Sequence, residues 1–482
     1  MAIRQFGTCV LLSAVILCSV IFSHNVNAYS PVTPINHVII VMQENHSFDN
    51  YFGTYPTANG TLVDNLTSSL QKVNGIPNGV CLPYGPGCIA PYYESGFNTT
   101  ATIEGQTTYE NDVNGGRMDG FARYSGPQAM AYFDYHQLAS YWDYAEEYGL
   151  AENYFASALS TTTPNRLLLF AGDTSVSYNY GPPPFVPYNR TVLNQLDENN
   201  ISWGYFDFFG SLKNASQAYP FIYTSDVPSS SIRNVQNVSS FFGELGTGGL
   251  PAVSFVMALG SDGLDEHPPS NVTAGEQWTV SIVNAIMRSN YWNSSAIFIT
   301  WDEGGGYYDH VVPPQVLTID HEFDHPLQVF GQRVPLLVIS PYVKENYVSQ
   351  AILNHMSLLR FIEFNWGLPS LDENVASSNN LLDFFSFNSP RSPIILGTAG
   401  KFAASKYPIP IQIQIGDLQY PRIGSMTDSD YGLAPRADYR LVASGLLVAI
   451  VLGVLTVRRR KSDHALNKLN RCQVSLHEVR IF

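Results

Sequence analysis

Val38 to Met42 form an unbroken apolar run, and it ends abruptly in Gln43, Glu44, Asn45, His46 and Ser47. A short continuous Val/Ile run is the pattern of a strand buried on both faces. Such a strand needs a covering layer on each side of its sheet. In an open α/β sheet, polar residues at the C-terminal end of such a strand line the ligand crevice. A carboxylate followed directly by an amide offers two hard oxygen ligands to a cation, or an acceptor and a donor to a phosphate. The competing reading is a capped turn, with Asn45 or Ser47 as N-cap and Asp49 in the first helical turn.

The pattern returns in SSAIFITWDEGGG, residues 294–306. Asp302 and Glu303 again tip an apolar run, and three glycines follow that let a backbone approach a ligand closely. Asp309 and His310 come within the same loop. Paired carboxylates with a nearby imidazole suit a hard-cation or mixed nitrogen–oxygen metal site, against the plainer reading of solvated loop acids. The two strand ends converge only if the strands are neighbours.

Other segments alternate helix and strand periodicity. Residues 127–156 predict a helix and a strand entry, and 191–207 a helix and a strand. Further strands are expected at 251–258 and 334–343, and helices at 275–292 and 353–367, the last ending at Gly367. This alternation predicts an α/β fold with a mostly parallel central sheet and helices on both faces. Residues 54–118 show little periodicity and read as long loops.

The ends of the chain have a different character. Residues 1–28 carry Arg4, an apolar stretch and a small residue at Ala28, the arrangement of a cleavable secretory signal. Residues 441–457 are free of charge and run straight into Arg458, Arg459, Arg460 and Lys461, as a membrane span does on its cytoplasmic side. The expected layout is a signal (1–28), a folded body (29–390), a Pro-containing linker or small cap (391–439), a transmembrane helix (440–457) and a basic cytoplasmic tail (458–482). The body then lies at the cell surface, anchored in the plasma membrane. The tail is basic, so the body is more acidic than the formal net charge of −15 for all 482 residues, which argues against nucleic acid as a partner. Cys81 and Cys88 flank a Pro/Gly loop, and in an oxidising compartment they read as a disulfide. Asn59, Asn65, Asn98 and further N-x-S/T sequons suggest glycosylation. Asn45 begins one too, and as a site residue it should be unmodified.

Two other segments carry candidate chemistry. In SALSTTTPNRLLLFAG (157–172), a threonine hydroxyl at a helix N-terminus beside a cation is placed to attack phosphorus, or else simply caps the helix. In DEHPP (265–269), His267 is a candidate phosphate ligand or general acid, or an ordinary loop histidine. His355, at the start of the helix after SPYV, is either a site residue or part of a helix start.

QENHSFDNYFG, T-x-PNR, DEHPP, WDEGGGYYDHV and NHMSLLRFIE occur in this order. Together they resemble the phosphoesterase family that joins non-haemolytic phospholipase C with a group of acid phosphatases, over roughly residues 35–388. The resemblance implies an alkaline-phosphatase-like fold and hydrolysis of phosphate mono- or diesters through a hydroxyl held at one divalent metal ion. Carried onto this sequence, it implies Glu44, Asn45, Thr162, Asp302 and Glu303 as metal ligands, with Thr162 the nucleophile. His267 and His310 would contact the phosphate together with Asn45, and one of them would protonate the leaving group. The substrate implied is a small phosphoester or a phospholipid. Two positions depart from the family pattern: His46 stands where Arg is frequent, and residues 107–121 lack a usual upstream His. The missing His, the sequons and the low charge content favour a rival reading, a glycosylated cell-envelope protein that keeps the fold without catalysis, against which stand the retained carboxylates and the T-x-PNR hydroxyl.

Overall fold

The apolar run folds as the strand it predicts. In the computed structural model, His37–Gln43 (β1) is buried from Val38 to Gln43. The structure describes residues 30–397, apart from 59–60, 64–71, 175, 177–178, 180–185, 209–223, 259–262 and 316–329. The expected signal, transmembrane helix, basic tail and most of the linker lie outside the described residues. Among the described residues no helix is long and apolar enough to cross a membrane.

β1 lies inside an eight-stranded sheet. Its other strands are Gly149–Ala151 (β2), Trp203–Asp207 (β3), Val235–Asn237 (β4), Val253–Met257 (β5), Ser295–Trp301 (β6), Leu336–Ile339 (β7) and Tyr347–Ser349 (β8). The spatial order is β4-β3-β5-β1-β6-β7-β2-β8. β7 runs antiparallel to both neighbours, and every other pairing is parallel. The mostly parallel α/β fold expected from the alternating pattern is therefore present. β1, β5 and β6 are buried along nearly their whole length, as strands covered on both faces must be.

Six helices bear on the site: Phe48–Phe52 (α1), Gln106–Val113 (α2), Tyr135–Glu147 (α3), Thr162–Ala171 (α4), Val272–Arg288 (α5) and His355–Trp366 (α6). α3 packs on α5, and α4 packs on α6. α6 ends where Gly367 takes a left-handed conformation, as its sequence predicts. Residues 54–118 hold more order than expected, because α2 buries Tyr109, Asp112 and Val113 there. Cys81 and Cys88 form the expected disulfide within a small hairpin, Leu82–Tyr84 against Gly87–Ile89.

Candidate active site

Strand register builds the centre of the site. β1 and β6 are parallel neighbours with Gln43 opposite Trp301, so Glu44 and Asp302 leave adjacent strand ends side by side. β5, on the other side of β1, ends at the same level with Met257 opposite Met42. The DEHPP loop follows β5, which brings Asp265, Glu266 and His267 to this end of the sheet. Gly305 locks the two strand ends together. It has φ +60, and a Cβ there would stand 2.3 Å from the Asn45 carbonyl oxygen, so only glycine fits.

Arg166, from α4, joins the two acids. Its Nη2 donates to Glu44 Oε1 at 2.8 Å and its Nε to Asp302 Oδ2 at 3.1 Å, with all three side chains buried. The remaining oxygens face elsewhere. Asp302 Oδ1 accepts from the Asn45 backbone N–H at 3.3 Å. Thr162 Oγ1 donates to Glu44 Oε2 at 3.5 Å. Thr162 is the first residue of α4, and the N-cap position belongs to Thr161. Asn165 of the PNR segment holds the approach loop, accepting from Ala158 N–H and donating to the carbonyls of Ala158, Ser160 and Thr161. The motif thus divides its labour: Asn165 shapes the loop, Arg166 pairs the acids, and Thr162 presents a hydroxyl to them.

Asn45 sits at φ +62, and its Nδ2 donates to Glu104 Oε1 at 2.8 Å. Its Oδ1 is buried with no hydrogen-bond partner among the described residues. A buried acceptor left open is costly unless something fills its lone pairs. Glu44, Asn45, Thr162 and Asp302 offer only oxygens, the donor chemistry of a hard cation, so the residues present fit a divalent ion. Glu303 is buried beside them, with Oε1 accepting from Tyr109 OH at 3.0 Å and Oε2 from Gly305 N–H at 2.6 Å. Asn45 is wholly buried, so the folded site has no room for a glycan on its amide.

Burial and mutual repulsion dominate the electrostatics of these acids. Burial raises the pKa of Glu44, countered by Arg166 and reinforced by Asp265 and Glu104. Asp302 is raised by burial and by Glu44, and Glu303 by burial, Glu104 and Asp302. His267 behaves in the opposite way. Burial alone would lower it, but Glu44 and Glu104 push it up to about 9. Its Nδ1 is bonded to the Pro268 carbonyl at 2.8 Å, and its Nε2 faces Glu104 Oε2 at 3.8 Å. Glu266 anchors this loop from inside: Gln43, Tyr51, Tyr141 and Trp301 all donate to its carboxylate.

His310 lies in a second constellation. Its Nδ1 is 2.7 Å from Asp49 Oδ2 and its Nε2 3.1 Å from Asn74 Oδ1. Asp49, Asp309 and His310 bring ligand atoms within 4.8 Å of one another, a possible cation-binding group. The buried Arg333 already serves these acids, donating to Asp49 Oδ1 at 3.0 Å and Asp309 Oδ1 at 2.9 Å. No hydrogen bond or ion pair among the described residues links His310 to Glu44, Asp302 or Thr162.

Two further histidines, His46 and His355, hold the framework. His46 is stacked between the rings of Tyr51 and Tyr307, with centroids 4.3 and 5.2 Å away. Its nitrogens face Asn50 Oδ1 and the Glu266 carbonyl. His355 accepts from Ser157 N–H at Nδ1 and donates from Nε2 to the Trp301 carbonyl, tying the loop before Thr162 to the end of β6. Burial lowers both imidazoles to about 4.

Sequence reasoning passed over Glu104, Glu266 and Arg333. Glu104 comes from a stretch without periodicity, and its only signal is the missing histidine in the residues that follow. Glu266 stands inside DEHPP, where the positive-φ backbone at φ +68 turns it inward. Arg333 has no motif around it.

Comparison with known proteins identifies the family. The profile of the Phosphoesterase family matches residues 35–369. A non-hemolytic phospholipase C of Burkholderia pseudomallei is 27% identical over 74% of this chain and 60% of its own length, so the chain spans under two thirds of that relative. Phospholipase C B of Mycobacterium tuberculosis is 28% identical over 75% of this chain and 80% of its own. Among solved structures, a protein in the alkaline phosphatase superfamily from Vibrio parahaemolyticus matches at TM-score 0.32 and 12% identity, over 61% of this chain and 71% of that one. The chain belongs to the Phosphoesterase family, and with it to the hydrolases that act on phosphoric ester bonds.

Proposed function

We propose that the chain is a metal-dependent phosphoester hydrolase with Thr162 as nucleophile, acting outside the cell on a small phosphoester or a phospholipid. The observation that carries this reading is Thr162 Oγ1, 3.5 Å from Glu44 Oε2 at the N-terminus of α4. The unpartnered Asn45 Oδ1 lies at the same strand end as Glu44. Glu44, Asn45, Thr162, Asp302 and Glu303 would hold one divalent ion, which when bound supplies Lewis-acid stabilisation of charge on the phosphate and the nucleophile.

Thr162 Oγ attacks phosphorus, its proton passing to the neighbouring carboxylate Glu44. The Oγ–P bond forms as the bond from phosphorus to the leaving oxygen breaks. His267, protonated at neutral pH, faces the site through Nε2 and gives its proton to the leaving alcohol. Water then attacks phosphorus and gives a proton to His267, the Oγ–P bond breaks, and Glu44 returns its proton to Thr162 Oγ, which restores the resting site. Backbone N–H groups at the start of α4 favour the phosphate oxygens. The resemblance assigns a second phosphate contact to His310. Nε2 is its exchangeable nitrogen, since Nδ1 is held by Asp49.

The Cys81–Cys88 disulfide supports an oxidising, extracellular setting, with the apolar segment 441–457 as the proposed anchor. Thr162→Ala is expected to lower turnover of a chromogenic phosphoester by orders of magnitude with the melting curve unchanged. Wild-type turnover in that variant sinks the nucleophile assignment. Comparing a soluble monoester with a short-chain phosphatidylcholine identifies the preferred substrate.

A further inference from the structure

The segment before α2 is built into the site rather than laid over it. Thr102 Oγ1 donates to the Gly305 carbonyl. Ile103 N–H donates to the Ser125 carbonyl at 2.9 Å, and Ser125 Oγ returns a bond to the Ile103 carbonyl at 3.2 Å. Glu104 follows this anchored pair, with its side chain 27% exposed. Its Oε1 receives the Asn45 amide, and its Oε2 faces His267.

The bond to Asn45 has a directional consequence. A side-chain amide presents nitrogen on one side and oxygen on the other, and rotation about χ2 exchanges them. Once Nδ2 is committed to Glu104, Oδ1 must point the opposite way. That oxygen is buried and unpartnered, whereas all four carboxylate oxygens of Glu44 and Asp302 accept a hydrogen bond. The carboxylate thus selects which atom of Asn45 a cation meets.

We propose that Glu104 is a positioning residue, which fixes the Asn45 amide with its oxygen turned toward the cation. The assignment rests on the metal-dependent reading above. Outer partners of this kind are worth about 10–100-fold in metal affinity.

Two conservative variants separate orientation from charge. Glu104→Gln keeps an oxygen that accepts from Asn45 Nδ2 and removes the charge. Glu104→Asp keeps the charge and withdraws the acceptor by one methylene. Full-length apoprotein is titrated with Zn2+, Mn2+, Mg2+ and Ca2+ by calorimetry, with melting curves taken alongside. The expected result is tightest-ion affinity within about threefold of wild type in Glu104→Gln, and about 10–100-fold weaker in Glu104→Asp and Glu104→Ala. If Glu104→Ala fails to fold, the Gln and Asp variants carry the comparison. The reverse order, Asp like wild type and Gln weak, overturns the assignment, because charge rather than orientation would then set affinity. Wild-type affinity in every variant overturns it as well. A wild-type protein that takes up none of the four ions overturns the proposed function and this assignment together.

Discussion

Two arginines are buried against two pairs of carboxylates at the same end of the sheet. Arg166 pairs Glu44 and Asp302, and Arg333 pairs Asp49 and Asp309. Each pair takes one acid from the segment after β1 and one from the loop after β6. In the Arg333 cluster every carboxylate oxygen is occupied, by the guanidinium, by backbone N–H groups or by His310. The guanidinium also lies over the Phe48 ring at 4.4 Å. In the Arg166 cluster one oxygen of each acid is left for lighter duty, beside an open amide oxygen and a threonine hydroxyl. A closed ion-pair network and an open one therefore stand close together in sequence. What separates them is the set of acceptors left unfilled.

The largest expected effect breaks the closed cluster. Arg333→Met strands two buried carboxylates and should lower unfolding free energy by about 3–5 kcal/mol, while metal affinity stays at the wild-type value. Urea denaturation and metal titration of the same protein check both halves. A variant that loses metal affinity would show the clusters to be one site.

A smaller effect distinguishes the acids. Asp302→Asn should weaken the tightest-binding divalent ion by about 100-fold, or roughly 2.7 kcal/mol, whereas Asp309→Asn should leave it unchanged. Equal losses in the two variants would erase the distinction.

A third effect, spread over several pH units, is a pH slope. His46 and His355 titrate near 4 in the folded protein against 6.5 for an ordinary imidazole. Below 6.5 the unfolded chain binds more protons at these groups, so stability falls as pH drops from about 6.5 to 4. Each group contributes at most about 1.4 kcal/mol per pH unit. Glu266, pushed up to about 7 by burial, acts in the opposite sense: its contribution declines as pH rises from about 4.5 to 7. His355→Asn should flatten the acid slope measured by urea unfolding. A slope identical to wild type would mean that this imidazole is not held neutral.

The sequence carried the parts of the site that are local. An apolar run into Glu44–Asn45 and another into Asp302–Glu303 were legible because a strand and its polar tip are contiguous. Thr162 was singled out only by the family resemblance that T-x-PNR carries, since the residues alone read equally as a capped helix start. Arg166 could be read as a nearby cation, but its place between two acids depends on the register of β1 against β6. Glu104 meets Asn45 across 59 residues, from a segment read as loop, so no periodicity announces it. The loop that carries Asp302 also carries Asp309 and His310, yet it divides between the two clusters. Proximity in sequence hides that division, because the loop turns through Gly305 and Gly306, both in left-handed conformations.

The place of β1 in the sheet has a consequence for biosynthesis. The strand pairs with β5 and β6, whose residues leave the ribosome about 210 and 250 positions later. At roughly 5–20 residues per second that is a delay on the order of 10–50 s. Through that interval one of the most apolar strands of the chain has both edges unpaired, the state in which strands aggregate. The fold therefore closes around its earliest strand only when β6 arrives.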